Sequence, residues 1–266
     1  MINVIVYGAA GRMGGRIIAC AGSETGLRIA GAVEAPGHPD LGRDAGELSG
    51  VGAIDCPLTD SLDRVIGKGD VAIDFSAPEA AVENAAACAG AGKSLVVGTT
   101  GLGPEGEKRL RSAAAGIACV FSPNMSAGVN LLFRLVAETA EALGDGYDVE
   151  IVEAHHRLKK DAPSGTAKKI AEIAAAALHR DLSEAAVYGR EGMVGERTQE
   201  EIGVHAVRAG DIVGEHTVLF SAPGERLELV HRAHSRDTFA RGALRAARFA
   251  AAAGPGFYSM RDVLGI

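Results

Sequence analysis

The sequence predicts an α/β protein with a Rossmann-like, doubly wound parallel sheet, joined to a second α+β region that carries an open mixed sheet. Two observations support this fold class. Up to about residue 125, short apolar runs alternate with stretches of helical spacing, the pattern of a parallel sheet with helices on both faces. Later in the chain, three strand-like runs follow one another without intervening helices, which indicates an open, mainly antiparallel sheet.

In the first region, the runs that predict strands are short, apolar and rich in β-branched residues. They are "INVIVY", "LRIAGAVE", "GDVAIDFS", "KSLVVGTTG" and "IACVFSPN". The stretches "PEAAVENAAACAGAG" and "PEGEKRLRSAAAG" lie between them, with proline near the first turn and glycine near the end. Proline and glycine favour those two positions of a helix, so both stretches are predicted to be helical.

In the second region, a long amphipathic helix is predicted at "SAGVNLLFRLVAETAEALG" and a strand at "YDVEIVEAHH". A helix follows at "PSGTAKKIAEIAAAAL", then the strand-like runs "IGVHAVRAG", "GEHTVLFSA" and "ERLELVHRAH", then a last helix at "DTFARGALRAARFAAAAG". We expect two domains, residues 1–126 with 236–266 and residues 127–235, with hinges near Ser126 and Arg236.

Composition restricts the class of protein. The chain has 266 residues, 47% of them hydrophobic, and a net charge of −7. This charge argues against a nucleic-acid partner, because a protein that binds nucleic acid usually has a basic face. No apolar run reaches the roughly 18 residues of a membrane span, and no signal-peptide pattern opens the chain. Four widely spaced cysteines are expected to be reduced thiols of a cytoplasmic protein.

A glycine-rich turn is predicted to bind the pyrophosphate of a dinucleotide. "GAAGRMG", Gly8 to Gly14, lies between the first strand and a helix. Gly8 allows the tight turn, Gly11 lets the backbone approach phosphate, and Gly14 allows close packing of the helix on the sheet. Candidate cofactor-binding residues of this turn are Gly8, Ala9, Ala10, Gly11, Arg12 and Met13.

The end of the second strand indicates which dinucleotide is preferred. Glu34 lies about 20 residues after the glycines, where an acidic residue binds the adenosine ribose hydroxyls. A carboxylate repels a 2′-phosphate unless a cation is close, and the next residue is Ala35. The local sequence therefore favours NADH over NADPH, although Arg12 is a possible partner for a 2′-phosphate.

Later strand ends supply further candidates for the nicotinamide pocket, because ligands of such sheets lie outside the carboxyl ends of the strands. Phe75 and Ser76 follow one strand. The other candidates are Gly98, Thr99 and Thr100 after the next strand, and Ser122, Pro123, Asn124 and Met125 after the one beyond.

The stretch "AHHRLKKDAPSGTA" combines acid–base groups, cations and a helix start. His155 and His156 end a predicted strand, and Arg157, Lys159 and Lys160 follow. Ser164 can cap the next helix, whose first N–H groups, at Gly165 and Thr166, can hold a carboxylate. A solvated surface loop is the alternative. The remaining histidines are interpreted as structural, and no histidine or carboxylate spacing indicates a metal.

The motifs resemble those of the 4-hydroxy-tetrahydrodipicolinate reductase family of the diaminopimelate route to lysine. The most specific is "VEAHHRLKKDAPSGTA". The others cover nearly the whole chain: "GAAGRMG", "DAGEL", "DFSAPE", "VVGTTG", "NMSAGVN", "VRAGDIVGEHTV", "ERLELVHRAHSRDTFARGA" and "MRDVL". The resemblance implies a Rossmann domain closed by the C-terminal segment, and an α+β domain that binds the substrate and forms a homotetramer through its open sheet.

The resemblance also implies an NAD(P)H-dependent reduction of a cyclic imine dicarboxylate, formed when the substrate loses water. A hydride adds to ring carbon C4, and the resulting enamine takes up a proton. By motif position, His155 is similar to the catalytic histidine and Lys159 to the proton donor. The implied substrate-carboxylate binders are His156, Gly165 and Thr166. The positive charge of Lys160 and the helix cap at Ser164 add these two residues to the substrate-binding candidates. Ala35 and Ala77 depart from relatives with basic residues there, which shifts the cofactor preference without deciding it.

Two other function classes fit parts of this pattern. One is an NAD-dependent dehydrogenase of a different small carboxylate, and the other is a dinucleotide sensor without catalytic activity. The grouping of His155, His156, Lys159 and the Ser-Gly-Thr turn disfavours both, because neither needs the whole set.

Overall fold

The structure is a computed structural model that describes the whole chain, Met1 to Ile266. The chain divides into two compact units. The first consists of Met1–Ala127 and Arg236–Ile266, and the second of Gly128–Ser235. None of the helices is both long enough and apolar enough to cross a membrane.

The first unit contains a seven-stranded sheet in which every neighbouring pair is parallel. Its strands are β1 (Ile2–Tyr7), β2 (Leu27–Val33), β3 (Leu58–Thr59), β4 (Val71–Asp74), β5 (Ser94–Val97), β6 (Ala118–Phe121) and β12 (Gly256–Tyr258). Their order across the sheet is β12-β6-β5-β4-β1-β2-β3. Strands β2 and β3 lie on one side of β1 and β4, β5 and β6 on the other, so the strand order reverses at β1, as in a Rossmann fold.

Helices cover both faces of this sheet. They are α1 (Arg12–Ala21), α2 (Ala45–Leu48), α3 (Pro78–Gly90), α4 (Gly103–Ala113), α8 (Asp237–Ala252) and α9 (Met260–Leu264). One apolar cluster joins β1 residues such as Val4 to α1 and α8, and another joins Ile5 and Tyr7 to α3 and α4. The strands read as continuous apolar runs because both of their faces are buried.

The second unit contains a five-stranded sheet with helices on one face. Its strands are β7 (Asp148–His155), β8 (Ala186–Tyr188), β9 (Ile202–Arg208), β10 (Gly214–Ala222) and β11 (Glu225–Ala233). Its helices are α5 (Ala127–Leu143), which begins at the boundary, α6 (Gly165–Ala177) and α7 (Leu182–Ala185). Alternate residues of β7 and β10, such as Ile151 and Val218, are buried, and the apolar ones among them form one cluster with α6.

The prediction of a mixed sheet is confirmed: two of its strand pairings are antiparallel and two are parallel. The strand order is β11-β10-β7-β9-β8. β10 is antiparallel to β7 and β11, whereas β9 is parallel to β7 and β8. The chain passes through α6 between β7 and β8, and such a crossover brings the next strand back in the same direction. The short strands β3, β8 and β12 have no clear sequence signal of their own.

Candidate active site

The glycine turn between β1 and α1 is as tight as its sequence predicts. Gly8 has a φ of +67°, and a Cβ there would lie 3.0 Å from the carbonyl oxygen of Phe75. A Cβ at Gly14 would overlap the Gly8 carbonyl, so only glycine lets α1 start this close to the turn. Gly11 is the N-cap of α1, and its exposed backbone precedes the free N–H groups of the helix.

Glu34 lies directly after β2 and beside this turn. Its carboxylate accepts hydrogen bonds from the backbone N–H of Ala10 at 3.1 Å and of Ala35 at 2.9 Å. The carboxylate is thereby held between the glycine turn and the end of β2. Two amide donors leave further lone pairs on its oxygens for ribose hydroxyls.

A buried carboxylate organises the ends of β4 and β5. Asp74 is fully buried and accepts hydrogen bonds from the hydroxyl and N–H of Ser76, from Asn84, and from Thr99 at 2.9 Å. A Cβ at Gly98 would overlap the Phe75 ring, so this glycine allows the two strand ends to pack together. Thr100, next to the buried Thr99, is exposed.

The segment after β6 is held by its own hydrogen bonds. The Ser122 hydroxyl donates to the Asn124 carbonyl at 2.7 Å, and Asn124 Oδ1 accepts from the N–H of Ser126 at 2.9 Å. Pro123 is exposed, whereas Met125 is buried. The predicted dinucleotide residues therefore follow β1, β2, β5 and β6, at one edge of a parallel sheet. Open backbone at Gly11 and a carboxylate at Glu34 suit a dinucleotide.

In the second unit, the stretch around His155 is organised by Glu153, which is fully buried on β7. Arg208 of β9 donates two hydrogen bonds to this carboxylate, both of 2.8 Å. The N–H of Ser164 donates a third at 2.9 Å, and His155 Nδ1 lies 2.6 Å from Glu153 Oε2. Burial opposes ionisation, but these partners hold the pKa of Glu153 below its usual range.

One ring nitrogen of His155, Nδ1, faces the Glu153 carboxylate. Burial lowers the pKa of His155 below its usual range, although Glu153 works in the opposite direction. Because the carboxylate can only accept, Nδ1 carries the proton and Nε2 keeps a lone pair. A Cβ at Gly214 would lie 3.1 Å from Nε2, so glycine leaves that edge of the ring uncovered.

Ser164 and His216 support the start of α6. Ser164 is the N-cap and accepts a hydrogen bond of 3.2 Å from the N–H of Ala167. Its hydroxyl also lies 3.2 Å from His216 Nε2, and the His216 ring meets His155 edge-on, with 5.3 Å between ring centroids. Burial lowers the pKa of His216 to about 3.

Cations and a helix start lie next to these residues. Lys159 Nζ is 2.9 Å from Asp161 Oδ1, and the carbonyl of Asp161 accepts a bond of 2.6 Å from Arg208. Lys160 is exposed and His156 is half-buried. Gly165 and Thr166 form the first turn of α6, and a Cβ at Gly165 would meet nothing within 4 Å. An anion can therefore approach the first N–H groups of this helix.

Four residues that no sequence motif indicated hold these sites together: Asp74, Glu153, Arg208 and His216. His216 was interpreted as structural, and the structure places it against His155 and Ser164. Alternation along β7 puts Glu153 on the same face as Ile151, which is a signal for a buried acid. The four cysteines are free and buried, and no cluster of three potential metal ligands is found.

Comparison with known proteins covers the whole chain. Residues 2–125 match the family model "Dihydrodipicolinate reductase, N-terminus", and residues 128–264 match "Dihydrodipicolinate reductase, C-terminus". The chain is 53% identical over 266 residues to the 4-hydroxy-tetrahydrodipicolinate reductase of Citrifermentans bemidjiense, with all of both chains covered. It is 54% identical, again with full coverage of both chains, to that of Syntrophotalea carbinolica.

Solved structures share the fold. A dipicolinate-bound dihydrodipicolinate reductase from Paenisporosarcina sp. TG-14 matches with a TM-score of 0.75 and 24% identity, covering 97% of both chains. GenD2 from gentamicin A biosynthesis, in complex with NAD, matches with a TM-score of 0.61 and 14% identity, covering 99% of this chain and 90% of the other. At these identities the likeness concerns the fold alone.

Proposed function

The chain belongs to the dihydrodipicolinate reductase family, and we propose that it catalyses the NAD(P)H-dependent reduction of 4-hydroxy-tetrahydrodipicolinate, after loss of water to the cyclic imine, to tetrahydrodipicolinate. This reaction belongs to the diaminopimelate route to lysine. The observation that carries the proposal is the arrangement around Glu153. This arrangement brings together His155, the side chain of Lys159 and the first turn of α6 on one short stretch.

The first unit is proposed to bind the dinucleotide, which when bound supplies the hydride that adds to ring carbon C4. The N–H groups after Gly11 face the pyrophosphate, and Glu34 accepts hydrogen bonds from the adenosine ribose. Gly98 to Thr100 and Ser122 to Met125 line the nicotinamide end. Asp74 holds the first of these loops through Thr99.

The second unit is proposed to bind the dicarboxylate. One carboxylate accepts hydrogen bonds from the N–H groups of Gly165 and Thr166, where the α6 dipole adds to the attraction. Lys160 and His156 contribute further donors. Ser164 caps α6 and thereby stabilises the first turn that presents these N–H groups.

The proton that completes the reaction is proposed to come from Lys159. An ammonium group can donate to the enamine carbon, and Asp161 at 2.9 Å restrains the side chain that carries it. His155 presents the lone pair of Nε2 as an acceptor, so it can orient the ammonium group or a water molecule and receive a proton in turn.

We propose that NADH is preferred to NADPH, with both accepted. The Glu34 carboxylate is fixed by Ala10 and Ala35, and residue 35 offers no cation to a 2′-phosphate. Arg12 lies within the glycine-rich sequence and is the first residue of α1, so it is the cation nearest in sequence to the proposed phosphate site. A strong preference for NADPH would assign the 2′-phosphate to Arg12.

We also propose a homotetramer of cytoplasmic protein, assembled through the open face of the second unit's sheet. The register places Val152, Thr217 and Val230 side by side on the face opposite α6. Val230 and Val207 are each 44% exposed, and exposed apolar residues on one face mark a candidate interface. The molar mass from light scattering tests this assembly.

The first experiment is NADH oxidation by the purified protein, with substrate generated in situ from pyruvate and aspartate semialdehyde by the preceding synthase, repeated with NADPH. Turnover with both coenzymes, faster with NADH, supports the whole proposal. Turnover with NADPH alone keeps the reaction and overturns the cofactor preference. Absence of turnover in a protein that binds NADH contradicts the proposed substrate.

A further inference from the structure

We infer that Glu153 is a positioning residue that fixes the tautomer and orientation of the His155 ring, and that Arg208 holds the Glu153 carboxylate in place for that purpose. The inference deepens the proposed function and rests on it. It names two residues, far apart in the sequence, that act on the reaction only through His155.

Contacts to both oxygens hold the Glu153 carboxylate in one orientation. Its Oε1 atom accepts from Ser164 N–H and Arg208 Nη2, and its Oε2 atom accepts from Arg208 Nη1 and faces His155 Nδ1. Arg208 is itself fixed, because it also donates to the carbonyls of Val207 and Asp161. A bidentate pair of this kind is strong and geometrically specific.

The Glu153 carboxylate determines which ring nitrogen of His155 carries the proton. A carboxylate only accepts, so Nδ1 is the donor of the 2.6 Å contact and Nε2 of the neutral ring is an acceptor. The other charged or titratable groups near the ring are Arg208 on β9, His216 on β10 and Lys159 in the following loop. None of them is hydrogen-bonded to Nδ1, so the tautomer depends on Glu153.

Replacement of Glu153 by glutamine is expected to reverse the tautomer of His155. The amide oxygen is expected to take the Oε1 position, because two donors, Ser164 N–H and Arg208 Nη2, converge there. The amide NH₂ then occupies the Oε2 position and points at His155 Nδ1. Nδ1 becomes the acceptor and Nε2 acquires the proton, so the ring presents a donor where it presented a lone pair.

The test combines a spectroscopic and a kinetic measurement. Nitrogen chemical shifts of ¹⁵N-histidine-labelled protein, assigned with His155→Gln, report which ring nitrogen is protonated. We expect an Nδ1–H ring in the unmodified chain and an Nε2–H ring in Glu153→Gln. With the substrate described above, Glu153→Gln should lower kcat by about 100-fold while KM changes little, because a wrongly presented acid–base group affects mainly the chemical step.

The matched control is Glu150→Gln. Glu150 lies on the same strand and is also bonded by arginines, Arg190 and Arg197, and by a histidine, His205 at 2.7 Å. Its side chain faces the other side of the sheet. This variant loses a comparable ion-pair network, so it should alter stability while leaving the His155 tautomer unchanged.

A double-mutant cycle separates positioning from folding. In a His155→Gln background, Glu153→Gln should cost no further kcat, since its effect passes through the ring. A further loss as large as in the unmodified chain would overturn the inference, as would an Nε2–H ring in the unmodified protein. The latter measurement needs no variant at position 153, so it decides the case even if Glu153→Gln does not fold. The tautomer is read without substrate, so a failure of the proposed reaction is distinguishable from a failure of this inference.

Discussion

The Thr99 hydroxyl donates a hydrogen bond of 2.9 Å to the Asp74 carboxylate and thereby joins the ends of β5 and β4 beneath the proposed nicotinamide loop. Thr99→Val removes this donor while keeping the shape of the side chain. We expect a loss of about 1–3 kcal/mol in the free energy of unfolding, because a buried carboxylate keeps one partner fewer. The KM for NADH should rise more than kcat falls.

Ser23→Ala is the control for that variant, because Ser23 donates to the Cys20 carbonyl at the end of α1, away from the loop. Urea unfolding and steady-state kinetics measure both variants. An unchanged KM for NADH in Thr99→Val would show that Asp74 does not hold the loop in its binding conformation.

Lys159→Ala should lower kcat by at least 100-fold with little change in NADH affinity, because the lysine is proposed to act in proton transfer. NADH affinity is measured by fluorescence titration and kcat by the coupled assay. Lys168→Ala, on an exposed position of α6, is the matched loss of a lysine and should behave as the unmodified chain. A normal kcat for Lys159→Ala would remove this residue from the mechanism.

Ala35→Arg should raise kcat/KM for NADPH relative to NADH, because a guanidinium beside Glu34 offsets the repulsion between its carboxylate and a 2′-phosphate. Ala35→Gln adds similar bulk without charge, and its ratio should stay close to that of the unmodified chain. Initial rates with both coenzymes give the ratio. If Ala35→Arg and Ala35→Gln give the same ratio of kcat/KM for NADPH to that for NADH, a positive charge at residue 35 does not contribute to binding of the 2′-phosphate.

The buried His216 predicts a loss of stability in mild acid. Burial lowers its pKa from 6.5 to about 3, so the unfolded chain takes up a proton between these values and the folded chain does not. Stability therefore falls as the pH drops from 6.5 toward 3, by about 2 kcal/mol at pH 5 from this residue. His216→Gln can keep a hydrogen bond to Ser164 and should flatten this dependence.

The measurement is urea unfolding at several pH values between 7 and 5. The exposed His234 provides the control, and His234→Gln should keep the slope of the unmodified chain. His155 and His231 also have lowered pKa values because of burial, so His216→Gln should remove only part of the slope. A slope as steep as that of the unmodified chain would contradict the burial of a neutral His216.

The sequence predicts well where local chemistry alone sets the structure. One turn and the helix after it require Gly8 and Gly14, so the spacing of these glycines predicts that local structure without any distant contact. The alternation along β7 and the serine cap of α6 are local in the same sense. The family resemblance adds the roles of His155 and Lys159, which remain predictions for this chain.

The contacts that link distant parts of the chain were not predictable in this way. Arg208 reaches Glu153 because β9 runs parallel to β7, and a parallel pairing depends on the path of an entire crossover. If β9 were antiparallel to β7, different residues of β9 would lie opposite Glu153. Likewise, Thr99 meets Asp74 only once the order of β4 and β5 in the sheet is known.

The return of residues 236–266 to the first unit has a consequence for biosynthesis. α8 packs on β4, β5 and β6 and buries residues such as Ala243 and Leu244, and β12 adds the edge strand beside β6. A ribosome synthesises these residues after all of Gly128–Ser235. The second unit thus has its full set of residues while the first still shows an apolar sheet face to solvent. A chain that stops before Arg236 leaves that face uncovered, which makes nascent or truncated chains clients for chaperones and proteases.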